Sequence, residues 1–470
     1  MIIVISFLTS RKTDNAGFYL ANKKSRWYVV SYGMIGASLS GVTFISVPGA
    51  VGKSHFSYLV MVLGYLVGYF VIIKVLLPLY YRLNLTSIYT YLDSRFGRSA
   101  YKSGATFFLI SRIIGASFRM FLVISVLQYF ILDYYHIPFV VSAGVMIFFI
   151  LFYTMKGGIK TIIWTDTIQT TFMLSSLVVS FFMIAKSLDL SFSALVGQIY
   201  HSEYAQLLDL DWGSQTFFVK HFFAGMFITI VMTGLDQDMM QKNLSCRNIK
   251  EAQKNMTWMS LSLLPINLLF LTLGAALYLY AAKMGIAIPD KADQLFPLIA
   301  IHHLGVFSSI VFIIGLFAAN YASADSALTS LTTSMSVDIF DLENRKSLSE
   351  KQKIFYRKLI HIGMALILYA AILLFGAINK DSVINELFTA AGYTYGPLLG
   401  LFAFGLFTKI KVNNKLIPLI VIASPFISYV LNYLSPAIGY HFGFEILILN
   451  GALTYLGLWL IRTKSGIINH

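Results

Sequence analysis

Several apolar runs of this chain carry oxygen-bearing side chains that a lipid-facing helix does not need. In AANYASADSALTSLTTS, Ala319, Ala322, Ser323 and Ser326 fall at helical spacing on one face, with Asp325 beside it. A small-residue packing seam explains the Ala and Ser residues but leaves Asp325 unexplained. Asp166, in WTDTIQ, interrupts another apolar run. Read as a structural residue it is interfacial, near the membrane edge. A carboxylate within a membrane segment otherwise points to function, because burying an unpaired charge is costly. Hydroxyls and carbonyls are hard ligands, suited to a cation such as sodium.

The stretch GMIGASLSGVTFISVPG, from Gly33 to Gly49, is rich in Gly, Ser and Thr and ends in Pro48-Gly49. Gly and Ser weaken a helix, and Pro48 cannot donate a backbone hydrogen bond. Interrupted helix survives in hydrocarbon only where protein or a watery cavity surrounds it. The same stretch also suits close helix packing. Further along, Thr233-Gly234 followed by Asp236 forms a second interruption, with Gln237 and Gln241 close behind. Arg112 and Arg119 are seven residues apart, on one side of a helix. Either suits a solute carboxylate or a buried acid through its fork of donors. Tyr393 and Tyr395, in GYTYGP, suit a gate or simple packing; His302 and His303 are adjacent and read as interfacial.

The elements that must position these groups are membrane helices. The chain has 470 residues, 57% hydrophobic and 12% charged, with mean hydropathy +0.73. A soluble domain carries roughly 25% charged residues. Long continuous apolar runs, rather than alternating ones, argue against a β-barrel. The net charge of +14 lies in short loops, which argues against nucleic-acid binding and for the positive-inside rule. The lone cysteine, Cys246, excludes an internal disulfide. No cleavable signal peptide is expected.

Spans are expected near 28–52, 57–81, 104–132, 137–155, 161–186, 217–240, 256–282, 296–335, 359–377, 383–408, 416–434 and 442–461. Basic loops alternate with basic-poor ones. Lys242, Arg247, Lys250 and Lys254 mark the inside after span 6, and Arg345 to Lys358 mark it after span 8. Span 1 therefore starts inside and span 6 outside, as an inverted repeat requires. Paired interruptions in matching spans are the sequence pointer to a transport site. The expectation is one all-α polytopic transport domain over 1–470. Its five-plus-five core repeats are about 28–186 and 217–408, with accessory helices at about 1–9, 416–434 and 442–461. Residues 1–9 are too short to span and read as the tail of a truncated first helix.

Five segments give a family likeness. They are DNAGFYLANKKSRWYVVSYGMIGASLSG leading into span 1, IYTYLDSRFG, GGIKTIIWTDTIQ, DQDMMQKNLSCRNIKEAQK, and the Ser-rich span 8 ending in VDIF. The chain resembles the sodium:solute symporter family, which shares the inverted-repeat fold of the leucine transporter. The resemblance implies a sodium site formed by the carbonyls of Gly36 and Leu39 with Ala319, Ala322 and Ser323. Relatives commonly carry two adjacent hydroxyls where this chain has Ala322-Ser323. By likeness to sialic acid symporters, a second cation would lie near Asp166, Ala322, Asp325 and Ser326. Asp325 stands where a neutral hydroxyl is expected, so two carboxylates face one cation site. Ser40 and Thr43 look like hydroxyls that hold a solute carboxylate, with Arg119 or Arg112 completing the pattern. Asp236 and Gln237 are further solute-site candidates.

The implied function is sodium-coupled import of a small polar solute across the cell (inner) membrane, first an acidic sugar such as sialic acid. A neutral sugar, an amino acid or a monocarboxylate, with protons as a second candidate for the coupling ion, is the alternative. Its expected partners are the solute, one or two sodium ions and the lipid bilayer, with no nucleic acid and no enzymatic step. A membrane solute sensor is the rival from another class; the chain ends at His470, about eight residues past the last span, with no output domain.

Overall fold

The computed structural model describes residues 5–6, 14–378 and 383–463. The expected accessory helix at 1–9 falls outside the described residues except for Ile5 and Ser6. Among the described residues nine helices are long and apolar enough to cross a membrane, and one bent pair and two shorter apolar helices accompany them. These units match the twelve expected spans, and the molecule is a multi-pass membrane protein.

Span 1 is Trp27–Ser54, and its regular geometry breaks at Ser40, with φ 54° and ψ 174°. That left-handed φ is strained for a residue with a Cβ, at roughly 1–3 kcal/mol. Pro48 does not end the helix, which runs on to Ser54. The contacts of span 7 (Ile249–Met284) account for this. The Tyr278 hydroxyl donates to the Gly49 carbonyl at 2.6 Å. A Cβ on Gly274 would sit 2.6 Å from the Pro48 carbonyl oxygen. Span 7 thus packs tightly on the proline turn and holds it within the helix.

Span 1 is clamped to span 5 (Ile159–Ser187) by glycine. A Cβ on Gly36 would lie 2.2 Å from Thr170 Oγ1. Only the bare backbone allows that approach, and it brings the Ser40 break to the molecule's centre.

Span 6 consists of two pieces, Phe218–Gly234 and Gln237–Leu244, bent by 62°. Asp236 is the cap of the second piece, and its Oδ1 accepts from the amides of Asp238 and Met239 at 2.9 and 3.3 Å. That is the standard reward for an Asp at a helix start. Span 8 differs from the expected 296–335. A short helical piece holds Leu295–Leu298 and Ile299–His303, and the long helix starts afresh at Gly305. Gly305 has φ 83°, which glycine adopts freely. His302 and His303 are exposed on that outer piece.

Candidate functional site

The two breaks meet beside a central cavity. Its walls include Ser40 and Thr43 of span 1, Arg112 and Arg119 of span 3 (Arg98–Leu127), Thr233 of span 6 and Asn267 of span 7. Tyr58 and Phe388 also line it, and both line a second, outer vestibule as well. These two rings are therefore the wall between the outer vestibule and the inner site. Asn267 escaped the sequence reading. Its Oδ1 has no partner among the described residues. An Asn two residues after Pro265 in an apolar span was the available signal.

The two arginines differ sharply. Arg112 Nη2 forms a buried ion pair with Asp238, and its Nη1 lies 3.8 Å from Asp236 Oδ2. The Tyr395 hydroxyl also donates to Asp236 Oδ2, at 2.5 Å. Arg112 is thus committed to span 6. Arg119 is 9% exposed, and its Nε has no partner among the described residues. No ion pair engages it among those residues. An uncommitted guanidinium beside two hydroxyls is a receptor for a carboxylate.

The other named candidates divide between two places. Gln237 does not face the cavity. Its Oε1 accepts from the Ile88 amide at 3.0 Å and its Nε2 donates to the Thr86 carbonyl at 2.9 Å. Gln241 similarly donates to the Tyr19 carbonyl and to Thr333. Tyr393 receives a hydrogen bond from Asn432, away from the site. Asp236 lies below the cavity, held by Tyr395.

The first set of cation candidates lies on two spans that touch at the span 1 break. A Cβ on Gly41 would lie 3.9 Å from the backbone nitrogen of Asn320, so the break abuts span 8 (Gly305–Ser334) at that point. Gly36, Leu39, Ala319, Ala322 and Ser323 are all buried. A left-handed residue interrupts the helical ladder, which deprives carbonyls of the preceding turn of regular partners. The Ser323 hydroxyl bonds back to the Asn320 carbonyl at 3.1 Å.

The polar members of the second set each hold separate partners. Lys242 Nζ donates to Asp166 Oδ2 at 2.7 Å, and both side chains are 1% exposed. With its amide oriented to satisfy both ends, Gln169 donates to the other oxygen of Asp166 at 3.2 Å. Lys242 was expected to mark a cytoplasmic loop; it is instead a buried counter-ion. Ser326 donates to Asp238 Oδ2 at 3.2 Å. Asp325 accepts from Tyr153 at 2.8 Å and Thr165 at 3.4 Å through Oδ2, while its Oδ1 has no partner among the described residues. Of the buried carboxylates around the breaks, Asp166 has Lys242 within 4 Å and Asp236 and Asp238 share Arg112, whereas Asp325 has no basic partner at that distance among the described residues. In its ionised form Asp325 therefore carries a surplus charge.

Residues 18–415 match the model of the sodium:solute symporter family. The chain belongs to that family. Among curated relatives of this symporter, the sodium/sialic acid symporter NanT of Aliivibrio fischeri is 24% identical over 444 residues, which cover 90% of this chain and 83% of NanT. The sodium/sialic acid symporter SiaT of Proteus mirabilis is also 24% identical, over 87% of this chain and 82% of SiaT. The fold matches a substrate-bound outward-open structure of a Na+-coupled sialic acid symporter. The TM-score is 0.84 at 20% identity, covering 99% of this chain and 97% of that one.

Proposed function

We propose that this symporter imports an acidic sugar of the sialic acid class together with sodium. The observation that carries the reading is Arg119, an uncommitted guanidinium lining the cavity with Ser40 and Thr43. The solute carboxylate lies on the Arg119 fork, and the hydroxyls of Ser40 and Thr43 donate to it. Asn267 Oδ1 accepts from a sugar hydroxyl or amide. Sodium, as co-substrate, lies between the carbonyls of Gly36 and Leu39 and the hydroxyl of Ser323, with Ala319 and Ala322 on the span 8 side. Asp325 Oδ1 holds a second cation. The relatives named as sialic acid symporters support this assignment.

Sodium orders the broken span 1 and so completes the solute site. Coupling requires that sodium favour the state that binds solute. Each charge that crosses adds about 2.3 kcal/mol per 100 mV of membrane potential.

The direct test is thermal stabilisation of the purified protein by sodium, against potassium and choline, followed by a solute panel. Sodium-specific stabilisation, raised further by sialic acid, is the expected result. Stabilisation by a neutral sugar or amino acid instead would replace the substrate assignment. Indifference to sodium would overturn the coupling.

Asp325→Asn keeps the shape and an oxygen for Tyr153 but removes the surplus charge. The sodium concentration that gives half-maximal uptake should rise about tenfold, equivalent to about 1.4 kcal/mol. An unchanged sodium curve would remove Asp325 from the cation site.

A further inference from the structure

Spans 2 and 7 form a cleft on the lipid-facing side, away from the central cavity. Its span 2 wall carries Phe70 and Lys74, and its span 7 wall carries Lys250, Lys254, Trp258 and Leu261. Span 7 starts at the cytoplasmic side, so Lys250 and Lys254 lie at the membrane edge and Trp258 and Leu261 lie deeper. Steps of four, four and three residues keep all four on one helical face. Span 2 runs the opposite way and repeats the order. Lys74 is nearer the cytoplasm, and Phe70 follows one turn deeper on the same face. Lys74 lies eight residues before Arg82, roughly 12 Å along the helix, within reach of the interface.

Both walls therefore read basic, then aromatic or apolar, in the direction of the bilayer centre. The three ammonium groups are exposed, and none forms an ion pair among the described residues. Like charges four apart on a helix repel, so the cleft lacks an anion. Phe70, Trp258 and Leu261 are 60%, 57% and 55% exposed. Tryptophan at that depth suits the headgroup boundary. The cleft is also fixed in shape. The Gln253 Nε2 donates across it to the Ile73 carbonyl at 3.0 Å, within the widened helical turn Ile72–Leu76.

We propose that this cleft binds one anionic phospholipid of the cytoplasmic leaflet, its phosphate among Lys74, Lys250 and Lys254 and an acyl chain along Phe70, Trp258 and Leu261. Charge complementarity selects the headgroup, and the apolar stripe selects a lipid over a soluble phosphate. Basic clefts between membrane helices on the cytoplasmic side are suited to such headgroups.

The test uses the full-length protein in detergent micelles and in nanodiscs. Native mass spectrometry with phosphatidylglycerol against phosphatidylcholine should show one preferentially retained phosphatidylglycerol. The variant Lys74→Gln/Lys250→Gln/Lys254→Gln should lose that preference, with each lysine contributing about fivefold. In nanodiscs, brominated phosphatidylglycerol should quench Trp258 more than brominated phosphatidylcholine does, read as the difference between wild type and Trp258→Phe. Inorganic phosphate alone should compete only weakly. Equal retention of the two lipids, an unchanged preference in the triple variant, or full competition by inorganic phosphate would each overturn the proposal. The quenching arm uses a conservative substitution at an exposed position, so it stands even if the triple variant fails to fold.

Discussion

Lys242→Met should destabilise the protein more than any other single change around the site. It removes the ammonium that lies 2.7 Å from Asp166 and leaves that carboxylate with Gln169 alone, both groups being almost wholly buried. Removing one member of a buried pair costs about 3–5 kcal/mol, because the other charge remains without compensation. The measurement is thermal unfolding in detergent for Lys242→Met, Asp166→Asn and the double variant. The double variant should recover most of the loss, since neither half-pair then remains. If Lys242→Met is as stable as wild type, the pair contributes nothing and Asp166 is free to act elsewhere. The pair also joins span 5 of the first repeat to span 6 of the second near the cytoplasmic side. An inward-open state has to break it or carry both spans together.

Arg119→Gln should remove solute recognition while leaving sodium stabilisation intact. The fork is the sole uncommitted cation of the cavity wall among the described residues. Losing a buried, hydrogen-bonded charge partner costs about 2–5 kcal/mol of binding. That corresponds to a loss of affinity on the order of a hundredfold. Arg119→Lys should recover only part of it, because a point charge does not reproduce a two-pronged contact. The measurements are sialic acid uptake into proteoliposomes and the sodium-induced thermal shift on the same preparations. Retained uptake in Arg119→Gln would transfer carboxylate recognition to another group. A lost sodium shift would mean that the substitution damaged more than the solute site.

The span pattern was readable because hydropathy and loop charge are local properties, and helices at membrane depth leave the chain few other choices. The first break falls where the family likeness implied, between the Leu39 carbonyl and the Ser40 hydroxyl, but composition alone does not single out Ser40. Across GASLSG the helix preference is nearly flat, and Pro48, the residue least suited to a helix, sits inside one. Contact at a distance bears on the break. Gly41, the neighbour of Ser40, is pressed against Val123, where a Cβ would lie 2.5 Å from the Val123 Cγ2. The two arginines show the same limit. Their spacing gives a shared side of span 3 but cannot rank them, because the ranking depends on Asp238, 126 residues away. Lys242 was misplaced for a related reason. Loop-charge counting treats every lysine near a span end as solvated, and its partner is 76 residues distant. Asp325 stood out at once, since no packing argument calls for a carboxylate in a seam of Ala and Ser.

Cys246 follows the second half of span 6. The Ser25 amide donates to the Ser245 carbonyl at 3.1 Å, and Cys246 itself is fully buried. Burial pushes its thiol up to about 12, so almost none is thiolate at neutral pH and alkylating reagents find little to attack. The native chain is consequently a quiet background for engineered labels, since no other cysteine competes. If the segment leading into span 1 parts from the end of span 6 and uncovers that one thiol, its labelling rate is a built-in clock for how often the cytoplasmic end comes apart.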